Sequence, residues 1–554
     1  MNRFWLKSYP PGVPAEIDPS RLTSLAELLR QACTAYRDRI AYEQMGRAMT
    51  FAQLDELTRD FAAWLQAAGM VKGDRIAIML PNTLQYPIAL FGALRAGLIV
   101  VNTNPLYTAR ELQHQLEDSG ATAILVLENF AHVVQEVAPR TSLKKVLVTA
   151  AGDFLGFPKS WIVNYVVRHR RKQVRAWHIA GTVDFREALR AGRKLPFGAV
   201  DVGPEDIAFL QYTGGTTGVA KGAMLTHRNV SCNVLQAEAW LAGRFSHETD
   251  VVITAIPLYH VFALTANCLL CAHLGMKNVL IINPRDCPAM LKELKKQPFA
   301  FFTGVNTLFN ALLNAPGFSS IDFSHLQVTL GGGMAVQESV AKRWKEVTGN
   351  ILTQAWGLTE TSPAAAINPM TEEFNGSIGL PIPSSEIVIK DDQGQDLPLG
   401  ETGEICVRGP HVMRGYWNRP DETAKVMLPG GWLRTGDVGY MDERGYTFIR
   451  DRKKDLILVS GFNVYPNEVE EVAATHPGIL ECAAVAQPDE HSGEVVALYV
   501  VPKDPNLTER DVIDYCRKSL AGYKVPKHVY FRKELPKSNV GKILRKELRE
   551  NSGK

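Results

Sequence analysis

The chain has 554 residues, 46% hydrophobic and 21% charged, with a formal net charge of +3 at neutral pH. This composition excludes a disordered chain and a single small domain; at about 150 residues per domain it predicts roughly three to four units with large cores. The near-balanced charge gives no electrostatic case for a nucleic-acid partner, and none is expected.

The eight cysteines are scattered. Cys268-Leu-Leu-Cys271 is the one close pair, and no second pair stands at zinc spacing. Reduced thiols in a cytoplasmic protein are therefore expected. The opening Met1-Asn-Arg-Phe-Trp-Leu-Lys-Ser-Tyr-Pro-Pro11 lacks the apolar core of a signal peptide.

Helical apolar spacing runs through Ser24–Cys33 and Thr50–Leu57, with Thr50 placed to cap the second helix. Arg75–Leu80 reads as a buried strand, Tyr86–Ala96 as a helix, and Gly97–Val101, Ala121–Val126 and Lys145–Thr149 as further strands. Strands alternating with helices predict an α/β fold with two doubly wound, mostly parallel units filling the chain to about residue 380. Phe157–Trp177 joins an aromatic and β-branched front to the basic run Arg168-His-Arg-Arg-Lys172, with no acidic residue. That pattern suits contact with an anionic membrane surface; a solvated helix packed on its own domain is the competing reading. Ile207–Leu210 reads as a strand and Met224–Val230 as the start of a helix. Val251–Met276 carries no Asp, Glu, Lys or Arg, but Pro257, His260, Asn267, His273 and Gly275 interrupt it, so a buried strand, a turn and a buried helix are expected rather than a membrane span. From about 377 to 450 short alternating strands predict a small antiparallel barrel or sheet, and a final α+β unit follows Asp455.

Between the strand at 207–210 and the segment after 223 lies Tyr212-Thr-Gly-Gly-Thr-Thr-Gly-Val-Ala-Lys-Gly222. Gly214, Gly215 and Gly218 free the backbone to approach a ligand; Thr213, Thr216, Thr217 and Tyr212 add hydroxyl donors, and Lys221 adds charge. Successive N–H groups in such a turn suit a phosphate. Lys221 is followed by Gly222, not Ser or Thr, so this is not a Walker A loop. Thr329-Leu-Gly-Gly-Gly333 ends a strand with bare backbone at Gly331, Gly332 and Gly333, on which a flat ring or acyl chain can lie. Ala355-Trp-Gly-Leu-Thr-Glu360 offers a carboxylate for Mg²⁺ against nucleotide phosphates. Asp437, after a Thr-Gly turn, suits ribose hydroxyls, and Arg452, in Asp451-Arg-Lys-Lys-Asp455, is a rigid donor fork. His260, Val261, Phe262, Val305 and Asn306 suit an acyl channel, although an ordinary apolar core reads the same way.

These motifs resemble, over nearly the whole length, the adenylate-forming superfamily of acyl-CoA synthetases, luciferases and peptide-synthetase adenylation domains. The segment Trp432–Lys454 is similar to the signature of the fatty acyl-CoA synthetases. The resemblance implies a large N-terminal domain (1–453) of two doubly wound subdomains plus a small β-barrel, and a mobile C-terminal domain (454–554) hinged at Lys454. It implies ATP, Mg²⁺, CoA and a long-chain fatty acid as reactants, joined through an acyl-adenylate with release of AMP and pyrophosphate. In this pattern Glu360 holds Mg²⁺, and Thr359 touches phosphate. Trp356, beside Gly357, lies near adenine, while Asp437 and Arg452 bind ribose. Lys542 neutralises charge at the α-phosphate, His260 gates the carboxylate, and Gly461 lines the thiol tunnel. A medium-chain acid, transfer to a carrier protein, a luciferase-like oxidation, and a non-catalytic lipid- or nucleotide-binding role stand as alternatives. A peripheral position on the cytoplasmic membrane face is expected through 157–177, and a homodimer stays open.

Overall fold

A computed structural model describes residues 3–213, 220–245, 250–489, 491–538 and 541–550. The expected phosphate-loop residues Gly214, Gly215, Thr216, Thr217 and Gly218 lie outside them.

Two large sheets form the body. In the first, Val183–Asp184, Lys145–Thr149, Ala123–Leu127, Arg75–Met79, Ile99–Asn102 and Ile207–Thr213 run parallel, and Lys221–Thr226 and Gly415–Tyr416 add antiparallel strands at one edge. Its inner strands are apolar on both faces because helices cover both sides. In the second, Lys277–Leu280, Val251–Thr254, Phe301–Gly304, Val328–Gly331 and Leu352–Gly357 form the parallel centre. The two expected doubly wound units are present, but they are not simply consecutive. The N-terminal strands Ile40–Gln44 and Arg47–Thr50 belong to the second sheet, where Tyr42 pairs with Asn278.

The caps follow the sequence. Ser24 accepts a hydrogen bond from Glu27 N, and Thr50 and Gln53 form a reciprocal capping box that starts Phe51–Ala67. One helix start differs from expectation. Met224–Thr226 remains a strand, because Lys221–Thr226 folds back on Ile207–Thr213 with Gln211 opposite Ala223 and Thr213 opposite Lys221. The helix His227–Trp240 begins only where the Thr226 side chain accepts from Asn229 N at 3.1 Å. Val251–Met276 resolves as expected into a strand, a turn and a buried helix from Val261 to His273 with a π-turn over Leu264–Leu269. Among the described residues no helix is long and apolar enough to cross a membrane.

The small antiparallel sheet comprises Glu386–Lys390, Gly403–Arg408, Met427–Leu428, Trp432–Met441 and Thr447–Arg452. Leu380–Pro381 pairs instead with Ala364–Ile367 at the edge of the second large sheet. The last sheet, Phe462–Val464, Ile457–Val459, Gly493–Pro502, Ile479–Asp489 and His528–Phe531, has its own apolar core with the helices Pro466–Ala474 and Glu509–Arg517. Lys454 lies in the connection between the two small sheets.

Thr226→Ala removes one half of a buried cap and is expected to cost about 1 kcal/mol. The measurement is a lowered midpoint of chemical denaturation.

Candidate active site

Strand register builds the first part of the site. Asp437 and Arg452 stand directly opposite each other on adjacent antiparallel strands. Asp437 was expected after a Thr-Gly turn; it sits within the long strand Trp432–Met441, where Gly436 takes φ +74° and lets the strand bend. Arg452 Nε lies 3.0 Å from Asp437 Oδ1, and the Trp356 indole N–H donates to Asp437 Oδ2 at 2.9 Å. The buried carboxylate is thus held by an ion pair and by a donor from the second large sheet. Lys542 faces this cluster from the last segment of the chain. The Arg452 guanidinium, together with burial, pushes its ammonium down to about 8. Burial, then Arg452, pushes Lys454 down to about 8 as well.

A second group surrounds the strand pair that carries the glycine- and threonine-rich loop. Lys221 Nζ meets Glu422 Oε2 at 2.7 Å and lies 4.7 Å from the centre of the Tyr416 ring. Tyr416 in turn donates its hydroxyl to Glu360 Oε1 at 2.7 Å. Tyr212 does not offer its phenol to the cavity: the hydroxyl donates to Asp118 Oδ2 at 2.7 Å. Burial, and then this acceptor, raise its pKa. Among the described residues no cluster of three or more His, Cys, Asp or Glu side chains can hold a metal alone. A single carboxylate such as Glu360 nevertheless fits Mg²⁺ that arrives with nucleotide phosphates, since that ion usually takes one or two carboxylates and keeps its other ligands as phosphate and water.

One cavity of about 1860 Å³ touches both groups. Its wall includes Tyr212, Thr213, Lys221, His260, Val261, Phe262, Asn306, Gly332, Gly333, Trp356, Gly357, Thr359, Glu360, Asp437, Arg452, Lys454 and Lys542. The same cavity is lined by Ala237, Leu241, Ala266, Leu270, Phe301 and Leu330 from the helices and strands of the body. His260 caps the helix that follows it, its Nδ1 accepting from Phe262 N at 3.3 Å. Burial, with Lys542 second, pushes the imidazole down to about 4, so it is neutral at physiological pH.

Among the described residues, three expected site residues are not on this wall. Gly331 faces the core instead; a Cβ there would come within 2.8 Å of Val336 Cγ2. Val305 packs as a buried residue ahead of the helix Asn306–Leu313. Gly461 lies at an exposed turn of the terminal sheet with open space around it. Gly357 does line the cavity, but its bareness answers to the fold, since a Cβ would stand 1.8 Å from Pro363 O. Sequence reasoning missed Tyr416, Glu422, Asp118, Asp451 and Arg545. Tyr416 and Glu422 carried a faint signal in the aromatic and acidic residues of Gly415-Tyr-Trp-Asn-Arg-Pro-Asp-Glu422, between two strands of the small sheet.

Residues 29–417 match the family model for the AMP-binding enzyme, and residues 468–542 match that for the AMP-binding enzyme C-terminal domain. The chain belongs to the AMP-binding enzyme family. It is 53% identical to a protein named long-chain-fatty-acid–CoA ligase from Escherichia coli O6:H1, covering 100% of this chain and 99% of that one. It is 54% identical to the protein of the same name from Salmonella typhimurium, with the same coverage. Among solved structures, an anthranilate CoA ligase in complex with anthranoyl-AMP superimposes with a TM-score of 0.86 at 25% identity, over 97% of this chain and 99% of that chain.

Trp356→Phe keeps the aromatic ring but withdraws the donor from Asp437. A hydrogen bond to a charged group contributes about 1.5–3 kcal/mol, so ATP titration is expected to show KM raised about tenfold or more.

Proposed function

We infer that this chain is a long-chain fatty acid–CoA ligase that activates its acid through an acyl-adenylate. The observation that carries the inference is the single cavity joining an apolar wall to the Asp437–Arg452–Lys542 cluster, in a chain whose full-length relatives bear that name. In the first step a carboxylate oxygen attacks the α-phosphorus of ATP, the bond to the β-phosphate oxygen breaks, and pyrophosphate leaves. In the second, the CoA thiolate attacks the acyl carbonyl carbon, and AMP leaves with the electron pair of the broken C–O bond.

Asp437 and Arg452 bind the ribose, with Trp356 orienting Asp437. Thr213, Lys221 and Thr359 hold phosphate oxygens. Glu360 holds Mg²⁺, which neutralises phosphate charge when ATP is bound. Lys221 then exchanges the Glu422 carboxylate for a phosphate. Lys542 stabilises the charge that builds between the carboxylate and the α-phosphate, a contribution strongest where water is excluded. The neutral His260 borders the carboxylate without adding a second charge. Lys454 is the hinge: rotation about it withdraws Lys542 and brings the exposed Gly461 turn over the cavity for thiol entry.

Lys542 acts as a cation, and its depressed pKa means that the charged form is lost as pH rises through about 8. Fatty-acid-dependent adenylation in the parent protein is therefore expected to fall above that pH. Lys542→Ala is expected to lower the rate about 10²- to 10³-fold and to remove this alkaline limb. The assay is palmitate-, ATP- and CoA-dependent AMP release. A parent protein that turns over without palmitate, or without CoA, overturns the assignment.

The segment 157–177 supports peripheral contact with the cytoplasmic membrane face, where the substrate is concentrated. Phe157 is 90% exposed and Trp161 64% exposed, with Ile162 and Tyr165 beside them on Lys159–Tyr165. The basic run that follows is not wholly free for anionic lipid, because Arg168 pairs with Glu128 at 2.8 Å. Trp177 packs partly on the core of its own subdomain, leaving the outward face to the segment's front half. Co-sedimentation with vesicles of mixed neutral and anionic phospholipid is expected to fall severalfold in the Phe157→Ser/Trp161→Ser double variant. Equal binding by parent and variant would end this reading.

A further inference from the structure

The terminal segment that delivers Lys542 is held by a compact charge network the mechanism above does not use. Arg545 sits at its centre, with little of its side chain exposed. Its Nε and Nη2 donate to the two oxygens of Glu470 at 3.0 and 2.7 Å, and Nη2 also donates to Asn467 Oδ1 at 2.6 Å. These partners lie on the helix Pro466–Ala474, in the same terminal unit as Arg545. Nη1 reaches Asp455 Oδ2 at 3.6 Å and Asp451 Oδ1 at 3.4 Å. Of these carboxylates, Asp451 alone precedes Lys454. It belongs to the strand Thr447–Arg452 of the small sheet, next to Arg452.

Asp451 is 1% exposed and accepts from Asn467 N at 2.8 Å and Arg452 N at 2.7 Å. Burial nevertheless pushes its carboxyl up to about 6, with Arg545 the largest opposing influence. Its ionised form thus depends on partners from beyond the hinge. Arg545 follows Lys542 by three residues on the same short segment. Ser538 N donates to Lys542 O at 2.7 Å, Gly541 N to Ser538 O at 2.9 Å, and Leu544 N to Pro536 O at 2.8 Å. These bonds tie Lys542 and Leu544, the residue before Arg545, to Pro536 and Ser538. Among the described residues the terminal unit also meets the body through the ammonium of Lys542, which faces Asp437 and Arg452, and through neutral hydrogen bonds, such as Thr307 Oγ1 to Gly541 O at 3.1 Å and Asn310 Nδ2 to Leu480 O at 3.3 Å.

We propose that Asp451 and Arg545 form a latch across the Lys454 connection, with Arg545 a positioning residue that holds Lys542 at the nucleotide end of the cavity. The latch must open on each turnover before the Gly461 face can replace Lys542, so its strength sets the balance between the two half-reactions. A buried carboxylate that loses its guanidinium is costly, which makes this pair a stronger bias than the neutral contacts beside it. The proposal rests on the acyl-adenylate reading above.

Asp451→Asn keeps the shape and one of the two acceptor oxygens while removing the charge. Palmitate-dependent exchange of pyrophosphate into ATP is expected to fall about tenfold. Thioester formation from preformed palmitoyl-adenylate and CoA is expected to hold or rise. In the ligand-free protein, tryptic cleavage within Arg452-Lys-Lys454 is expected to accelerate. Arg545→Gln should behave alike, and the double variant should be no worse than either single one. Equal loss in both half-reactions, additive losses in the double variant, or protease rates matching the parent would overturn the latch. Should Asp451→Asn fold poorly, Arg545→Lys supplies the same comparison with the charge retained and the fork lost. A parent protein without pyrophosphate exchange would defeat the functional reading instead, and the protease rates would still judge the latch.

Discussion

The arrangement depends on placing several positive groups against one buried carboxylate. Asp437 is the fixed point: Trp356 reaches it from the second large sheet, Arg452 from the neighbouring strand of the small one, and Lys542 from the last segment of the chain. Cations gathered this closely repel one another; repulsion by Arg452, with burial second, depresses the ammonium of Lys542, and at Lys454 burial leads with Arg452 second. A polyanion relieves it. The free protein is therefore built as one partner of a charge-complementary pair, and binding energy comes from ending an unfavourable state as well as from new hydrogen bonds.

The same logic explains the two carboxylates near Lys221. Glu422 balances Lys221, and Tyr416 ties Glu360 in place beneath that lysine. Both keep the pocket organised without its ligand, which reduces the ordering cost when a nucleotide arrives. The apolar wall makes no comparable demand, because it is continuous with the hydrophobic core.

Local chemistry made much of this legible. The cap at Thr50, the apolar strand beginning at Arg75, and the turn-rich texture after 377 each depend on neighbouring residues, and each appeared as read. Non-local pairing defeated the same approach. Met224–Thr226 has no local feature that separates strand from helix; its conformation is decided by the strand opposite. Tyr416 and Glu360 are 56 residues apart, Asp451 and Arg545 94, and no spacing rule joins them. Glycines misled in a different way. Gly331, Gly332 and Gly333 look equivalent in sequence, yet Gly331 answers to a core contact while the other two border the cavity.

The strand pair Ile40–Gln44 and Arg47–Thr50 has a consequence for how the molecule is made. These strands complete their sheet only by joining Lys277–Leu280, so an edge formed early in synthesis must wait for a partner made much later. At about 5–20 residues per second that interval is on the order of tens of seconds. Within it, the strands of the first large sheet between residues 75 and 226 can assemble from contiguous sequence, with only the edge strand Gly415–Tyr416 added later, while the second sheet lacks its closing members. Biogenesis therefore has a built-in asymmetry: most of one half of the body is able to form on the ribosome, and the other half waits until the chain returns to its own beginning.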